Sequence, residues 1–263
     1  MSRRIVVQGL SDGRLTPFPP FRSNRKPMPH EHIISFWSRT LDLISPRQCP
    51  VCGVRLGVDE RLLCTSCNIR LPRTRFAESP YDNEMARRLW GLMPVEKASA
   101  LFYFETGAES AHLVWRLKYG GNAEACRQMG LLLGEELLAQ GFFAGIDLLV
   151  PVPLTPEREH SRGYNQSMEV ARGISEATGL SVAPSVVVRT KFSGSQTQMR
   201  GQERMENVKD AFKLVDGAVV AHKHVLLVDD VLTTGATIVS CSGEIMKAGD
   251  VRISVLTVGF TKS

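Results

Sequence analysis

Two adjacent aspartates and a threonine-rich turn are the residues of this sequence best suited to binding chemistry. They lie in the string VLLVDDVLTTGAT at residues 225–237, between an apolar run and a predicted helix. Ionised carboxylates only accept hydrogen bonds, so Asp229 and Asp230 suit the vicinal hydroxyls of a sugar or a Mg²⁺ ion. An acidic pair alone would equally fit a Mg²⁺ site in another α/β enzyme. The whole string is what favours a sugar-phosphate site.

The turn after the acidic pair has the composition of a phosphate pocket. Gly235 allows the backbone to turn sharply and to present amides to an anion. The helix that follows adds N–H groups without intrahelical partners and the positive end of its dipole. Threonine hydroxyls can donate further hydrogen bonds. The predicted binding residues of this turn are Thr233, Thr234, Gly235, Ala236 and Thr237.

Cysteine spacing predicts a second, separate centre. Four of the six cysteines form two CxxC pairs, Cys49 with Cys52 and Cys64 with Cys67, and eleven residues separate the pairs. Two facing turns can place four thiolates around one tetrahedral zinc ion. We therefore predict a structural zinc site, with a redox CxxC or a site that has lost its metal as the alternatives. The other two cysteines fall in helical apolar patterns and are expected to be buried.

Two further segments are expected near the acidic pair. Arg158 and Arg162 follow the predicted strand IDLLV, and the guanidinium fork suits phosphate oxygens. The alternative is that both are solvated surface arginines. The segment 189–207 is polar and long for a connection between a strand and a helix. It is predicted to form a lid over the site, with a plain surface loop as the alternative.

The elements that must position these residues follow a βαβ pattern. From Ile146 onwards, short apolar runs alternate with helical segments, which predicts a mostly parallel buried sheet. The predicted strands are IDLLVPV, SVVVRT, HVLLVDD and VRISVLTVGF, with helices near 165–178 and 235–248. Upstream, ALFYF is predicted to be a strand, followed by a helix that ends at Gly120 and another over 123–139. Such sheets bind ligands at the carboxyl ends of their strands.

Composition argues against a membrane span and against a globally basic surface. The chain of 263 residues is 43% apolar and 22% charged, and no apolar run approaches about 18 residues. No secretory signal is recognisable, so a cytoplasmic protein is expected. The net charge of +5 resides in residues 1–30, which carry six basic residues and one acidic residue. The rest of the chain is balanced, with 26 basic and 26 acidic residues.

The same N-terminal segment is rich in proline. Residues 1–30 contain five of the 14 prolines and are predicted to be disordered, with a mobile binding arm as the alternative. A patterned helix follows from residue 31, which makes Met28 an alternative start of the protein.

Several strings make the sequence similar to a known family. It resembles the ComF family of competence proteins in VPVPLTPEREHSRGYNQS, RTKFSGSQTQMRGQERMENVKDAF and VLLVDDVLTTGAT, preceded by LKYGG and the paired CxxC motifs. The third string is also the fingerprint of the type I phosphoribosyltransferases. The resemblance extends from about residue 31 to the C-terminus. It implies a zinc-ribbon-like four-cysteine module at 31–79, then a type I phosphoribosyltransferase fold at 80–263 with a mostly parallel central sheet.

The resemblance also implies a ligand. This is phosphoribosyl diphosphate (PRPP), or a related 5-phosphoribosyl compound, bound with Mg²⁺ at residues 229–237, with Arg158 and Arg162 on the diphosphate side. The implied lid residues are Arg189, Gln196 and Arg204. The sequence departs from the family pattern at Thr155, His160 and Ser193, where a histidine, an arginine and a threonine are usual. Thr155 and His160 leave the diphosphate loop less basic.

The implied role is DNA uptake in natural transformation, with single-stranded DNA and the DNA-uptake helicase machinery as partners. Locally basic segments at 39–75 and 189–209 could hold the DNA, with Trp37 and Tyr103 as stacking partners. The alternative is a catalytically active phosphoribosyltransferase of nucleotide metabolism. No acceptor-base pocket or general base is identifiable from the sequence, so the question of catalysis stays open.

Overall fold

A computed structural model describes residues 47–190 and 211–262 of the chain. Three predictions therefore lie outside the described residues. They are the N-terminal extension, the helix predicted from residue 31, and most of the predicted lid, including Gln196 and Arg204.

Five strands form the central sheet, and every neighbouring pair in it is parallel. The strands are β1 (Ala98–Phe104), β2 (Leu148–Pro151), β3 (Ser181–Val182), β6 (His224–Leu232) and β7 (Arg252–Thr261). Their order across the sheet is β1-β7-β6-β2-β3. Residues 225–228 in the middle of β6 are fully buried, as expected for a strand covered on both faces. The predicted α/β class with a mostly parallel sheet is confirmed.

The predicted strand SVVVRT lies elsewhere, and this corrects one expectation. Residues Val187–Arg189 form β4, which pairs antiparallel with β5 (Phe212–Leu214) in a separate two-stranded sheet. The edge position beside β2 is taken by β3 instead. The sequence pattern misses the difference because a short apolar run looks the same in either sheet, and nothing in the pattern marks β5 as its partner.

Helices connect and cover the strands. They are α1 (Thr65–Arg70), α2 (Glu84–Trp90), α3 (Glu109–Tyr119), α4 (Ala123–Leu138), α5 (Pro156–Arg162), α6 (Gln166–Thr178) and α7 (Ala236–Met246), with a 3-10 turn at Phe76–Glu78. The helices predicted at 123–139, 165–178 and 235–248 are confirmed within a few residues. Within the described ranges, none of these helices has both the length and the apolar character to cross a membrane.

The segment with Arg158 and Arg162 is a helix where a loop was expected. Thr155 caps α5 by accepting a hydrogen bond from the Arg158 N–H at 3.4 Å, and proline occupies the first turn. Gly163 ends the helix in the left-handed conformation, at φ 80°. These are local helix signals that outweigh the loop-like composition.

Helices α4 and α6 cross in direct backbone contact. A Cβ atom at Gly130 would lie 2.0 Å from the carbonyl oxygen of Val170, and one at Gly173 would lie 1.9 Å from that of Arg127. Glycine at both positions therefore lets the helices approach closely and fixes α6 against the sheet beside β2 and β6.

The four-cysteine segment joins the sheet domain through its edge strand. The N–H of Tyr103 in β1 donates to the carbonyl of Pro72 at 2.8 Å, and the N–H of Thr74 donates to the carbonyl of Leu101 at 3.1 Å. Leu71 and the buried cysteines belong to the same apolar core as α3 and α4. The predicted domain boundary between residues 79 and 80 stays a prediction.

Candidate functional site

The two aspartates of the predicted sugar-phosphate site lie in the second half of β6. The strand continues beyond them to Leu232, and Asp229 is in register with Thr257 of β7. The Asp229 carboxylate accepts hydrogen bonds from the Ser167 hydroxyl at 3.0 Å and from the Asp230 N–H at 2.9 Å. Both carboxylates are only partly exposed. The first of them is therefore held rigidly between β6 and the start of α6.

A lysine from a distant helix neutralises the second aspartate. Lys118 Nζ, at the end of α3, lies 3.0 Å from Asp230 Oδ2, and the two side chains are only 26% and 19% exposed. The Val231 N–H also donates to Asp230 Oδ1 at 2.6 Å. A partly buried ion pair of this kind is less screened by water than a surface pair.

The acidic pair carries more negative charge than its neighbours offset. Burial, and next the charge of Asp230, raise the pKa of Asp229 to about 7, against the hydrogen bonds from Asp230 and Ser167 and the charge of Lys118. One lysine cannot neutralise two ionised carboxylates. The geometry therefore suits a ligand that brings a cation or hydroxyl donors.

Lys118 is positioned by contacts that the sequence motifs did not reveal. The Tyr164 hydroxyl donates to the Leu117 carbonyl at 2.7 Å, and the Gln166 amide donates to the Lys118 carbonyl at 3.3 Å. These bonds tie the end of α3 to the segment that opens α6. The motifs LKYGG and RGYNQS thus meet in space beside the acidic pair.

The threonine-rich turn follows β6 directly and opens α7. Thr233 and Thr234 are exposed, and Gly235 has φ 87°. A Cβ at this glycine would lie 3.2 Å from Leu89 Cδ2, so both the backbone conformation and the close neighbour require glycine. The N-cap residue Gly235 has no side chain to cap α7, and Thr234 Oγ1 accepts from the Ala236 N–H at 3.4 Å, so the other N–H groups of the first turn are left for an anion.

An arginine from α2 holds this turn from behind. Arg88 Nη1 donates to the Thr233 carbonyl at 2.7 Å and to the Thr261 carbonyl at 2.6 Å. Its guanidinium carbon lies 4.1 Å from the centroid of the Phe260 ring. Arg88 therefore joins the turn to the end of β7. The sequence offered no signal for this role, since the residue lies in a segment without a motif.

Two of the three described arginines predicted near the acidic pair interact with each other. Arg189, predicted as a lid residue, ends β4, and burial, followed by the charge of Arg158, lowers its pKa while Asp229 opposes the shift. Arg189 therefore lies within electrostatic range of both Arg158 and Asp229. Arg162 instead donates to Gln166 Oε1 at 2.9 Å and covers the Tyr119 ring at 5.0 Å.

A cleft lies between β2, α5 and β4. Its volume is ≈ 330 Å³, and its wall includes Pro151, Pro153, Met168, Val187 and Arg189. Because β2 neighbours β6 in the sheet, this cleft opens on the same edge as the acidic pair.

The four paired cysteines converge as predicted. All four Sγ atoms lie within 4.8 Å of one another, and the Cys52 and Cys64 sulfurs are 3.6 Å apart. Tetrahedral coordination with zinc–sulfur bonds of about 2.3 Å needs sulfur separations of about 3.8 Å. All four are free thiols. The cluster can therefore hold a metal ion without rearrangement of the chain.

Local turns build this cluster. Gly53, at φ 74°, closes the first CxxC turn by donating from its N–H to the Cys49 carbonyl at 2.8 Å. Cys64 caps α1, since its sulfur accepts from the Cys67 N–H at 3.5 Å. Burial raises the pKa of Cys67 to about 12, whereas hydrogen bonds within the cluster lower the pKa of Cys49 to about 7 despite its burial, so the cluster already favours one thiolate.

Comparisons with known proteins identify relatives. The chain is 30% identical over 146 residues to the DNA utilization protein YhgH of Escherichia coli (strain K12), which covers 54% of this chain and 63% of that protein. It is 34% identical over 110 residues to competence protein F of Haemophilus influenzae, which covers 41% of this chain and 48% of that protein. These relatives are named as a DNA utilization protein and a competence protein, and they confirm the predicted resemblance to the ComF family.

A further relative is competence protein ComFC of Streptococcus pneumoniae, 30% identical over 123 residues, with 47% of this chain and 50% of that protein covered. The chain spans 63% of the length of the YhgH proteins that it matches. No family model matches it.

Two solved structures overlap part of the fold. One is a glutamine PRPP amidotransferase from B. subtilis complexed with ADP and GMP, at 21% identity and a TM-score of 0.37, covering 55% of this chain and 30% of that one. The other is an allosteric regulatory enzyme of purine biosynthesis, at 22% identity and a TM-score of 0.36, with the same coverage. At these TM-scores the overlap supports no conclusion beyond the sheet topology described above.

Proposed function

We propose that the chain binds PRPP, or a related 5-phosphoribosyl compound, together with Mg²⁺ at the carboxyl end of β6. The observation that carries this proposal is the partly buried acidic pair followed at once by a glycine turn and an uncapped helix start. Asp229 and Asp230 would accept hydrogen bonds from the ribose hydroxyls or bind Mg²⁺. The amides and hydroxyls of residues 233–237 would hold the 5-phosphate.

The diphosphate would lie toward the cleft between α5 and β4. Arg189 interacts electrostatically with both Asp229 and Arg158, which supports a role for the two arginines beside the diphosphate. The Arg162 guanidinium lies over the Tyr119 ring, so Arg162 would contact the diphosphate only from the edge of this group of arginines. Gln196 and Arg204, outside the described residues, would belong to a lid that closes over the bound ligand.

The biological role that we propose is DNA uptake in natural transformation. The names of the relatives, DNA utilization protein and competence protein, support this role. The partners would be single-stranded DNA and the helicase machinery of uptake. The PRPP site would then be the sensor through which this DNA-handling protein responds to its ligand.

A second candidate function is a catalytically active phosphoribosyltransferase. Two arginines beside the diphosphate position would stabilise the charge on departing diphosphate, and this favours the candidate. In that reaction a nucleophile forms a bond to the anomeric carbon of PRPP while the bond to diphosphate breaks. The acceptor that would supply the nucleophile is not identified by any described residue.

The metal of the cysteine cluster is proposed to be zinc. Four thiolates in a closed, mostly buried arrangement are the ligand set of structural zinc sites. Leu71, directly after the cluster, lies in the core shared with α3 and α4, so the ion would stabilise the edge of the sheet domain.

Titration calorimetry with PRPP and Mg²⁺ tests the ligand proposal. Wild type should bind, and the double variant Asp229→Asn with Asp230→Asn should not. The matched control is Asp250→Asn, because Asp250 is an exposed aspartate outside the site. If wild type does not bind, or if the double variant binds equally well, the proposal is wrong. A diphosphate-release assay against a panel of bases then separates binding alone from catalysis.

A further inference from the structure

The outer face of α3 carries large aromatic and basic side chains in one row. His112 and Tyr119 are each three or four residues from both Trp115 and Arg116, so all four share one side of the helix. All four are exposed, and we call them the aromatic face. The opposite side of the helix, with Leu113, Val114 and Leu117, is buried in the core. Packing within the described chain thus accounts for one side of α3 and leaves the aromatic face in solvent.

The two rings of the aromatic face lie side by side. Trp115 and Tyr119 are 56% and 58% exposed, with ring centroids 5.9 Å apart and planes inclined by 44°. They are therefore not stacked on each other, and each presents ring surface to solvent. Exposed aromatic rings in a row are the platforms on which unpaired bases stack.

Positive charge surrounds these rings. Arg116 lies between them along the helix, and Arg162 covers one side of the Tyr119 ring at 5.0 Å. The acidic residue within α3, Glu109, is paired with Arg70 at 3.2 Å. A phosphate backbone that follows the helix would meet guanidinium groups beside each ring.

The size of the aromatic face favours a nucleic acid over a protein. An 11-residue helix is about 16 Å long, and four side chains on it supply only part of the roughly 600–1,000 Å² that each partner buries in a stable protein interface. Two stacked bases and their phosphates need only the two rings and the adjacent arginines.

We propose that the aromatic face of α3 binds single-stranded nucleic acid, with bases stacked on Trp115 and Tyr119 and phosphates at Arg116 and Arg162. The class of partner in this proposal rests on the proposed role in DNA handling. The position of the site rests on the exposure, spacing and charge of the side chains on α3. It replaces Tyr103 as the expected stacking residue, because that ring packs against Phe76 at 5.6 Å and is half-buried. The same helix carries Lys118, which contacts Asp230, so the two sites share one rigid element.

Fluorescence anisotropy with labelled oligothymidylate of about 20 nucleotides tests this on the full chain. The double variant Trp115→Ala with Tyr119→Ala should bind at least about tenfold more weakly than wild type. Trp90→Ala is the matched control, because Trp90 is 51% exposed but lies on α2, and it should bind as wild type does. Tyr119→Phe keeps the ring and should retain binding.

The salt dependence tests the phosphate contacts separately. Arg116→Ala should reduce the slope of log affinity against log salt by about one, whereas Arg87→Ala, on the exposed surface of α2, should leave it unchanged. Oligouridylate shows whether the sugar matters, and a duplex of equal length should bind more weakly because its bases are paired.

Several outcomes would overturn the assignment. If wild type binds the oligonucleotide and the ring variant binds it equally well, nucleic-acid binding stands but the aromatic face is not its site. Equal affinity for the duplex would also exclude stacking of unpaired bases. If sedimentation shows that the ring variant changes only the oligomeric state, the face is a contact between copies.

If wild type binds neither oligonucleotide, both this proposal and the DNA partner fail, while PRPP calorimetry still tests the ligand site independently. Circular dichroism on each variant separates loss of fold from loss of binding.

Discussion

The cysteine cluster and the sugar-phosphate site are built in opposite ways. All four ligands of the cluster lie within 19 residues, and its turns are closed by hydrogen bonds between near neighbours. The sugar-phosphate site brings Lys118, Ser167 and the acidic pair together from three elements, with Arg88 behind the turn from a fourth. The first site therefore depends on its own segment, and the second depends on the whole sheet domain.

The largest expected effect concerns the local site. Cys67→Ser should remove the metal, since Cys67 is fully buried and supplies one of four thiols. Metal analysis should fall from about one zinc per chain to near zero. The thermal midpoint should also fall steeply, because Leu71 ties the cluster to the core of the domain. Cys126→Ala, a buried cysteine outside the cluster, should keep the zinc; loss of zinc there would show that the cluster is not locally determined.

Removal of the Asp229 carboxyl, whose pKa is raised, should have the next largest effect. The pKa of Asp229 is about 7 in the folded chain, whereas an unperturbed aspartate has a pKa of 3.8. The folded state thus binds the proton more tightly than the unfolded state. This carboxyl therefore contributes stability that is fully present below the unfolded pKa and is lost as pH rises through about 7, by at most about 4 kcal/mol. Asp229→Asn should abolish this contribution, so that wild type loses stability relative to the variant as pH rises from about 4 to about 8 without ligand.

Urea unfolding from about pH 4 to about pH 8, with a chelator present, measures this difference. If the stability of wild type relative to Asp229→Asn does not fall over that range, the carboxyl is more solvated than its position in β6 indicates. Added Mg²⁺ and PRPP should restore part of the stability of wild type but not of Asp229→Asn.

Substitution of Gly235, in the turn after β6, should have a smaller effect on stability but should abolish ligand binding. Gly235→Ala introduces a Cβ 3.2 Å from Leu89 Cδ2 at a φ of 87°, so it should destabilise the chain by about 1–2 kcal/mol and abolish PRPP binding. Gly243→Ala is the matched control. It lies in the same helix with no atom within 4 Å of the new Cβ, and it should stabilise the chain by up to about 1 kcal/mol. Calorimetry and urea unfolding of both variants make the test, and retained binding in Gly235→Ala would contradict it.

Loss of the supporting arginine should have the smallest effect. Arg88→Met removes the two hydrogen bonds to the Thr233 and Thr261 carbonyls and should weaken PRPP binding several-fold, at about 1 kcal/mol. Its neighbour Arg87, exposed and paired with Asp82, provides the control Arg87→Met, which should bind as wild type does. Equal affinity in both variants would mean that the turn keeps its shape without help from α2.

The segment SVVVRT shows what the sequence pattern could not predict, namely the partner with which a strand pairs. The run SVVVRT has the composition of a central strand, yet β4 pairs with β5 outside the main sheet. Composition sets the tendency to be extended, but the pairing partner is chosen by segments far away in sequence. The helix α5 shows the converse, because its cap residues Thr155 and Gly163 are local signals that could have been recognised.

By itself, the sequence determined the α/β class, the long central strands, the four metal-binding thiols and the acidic pair with its glycine turn. Each depends on short-range features, namely the period of apolar residues, the spacing of cysteines and the residue types that a turn requires. Only the tertiary structure decided that Lys118 meets Asp230, that Arg88 supports the turn, and that the rings of Trp115 and Tyr119 face solvent. Those contacts depend on strand order and helix packing, which bring together residues far apart in the chain.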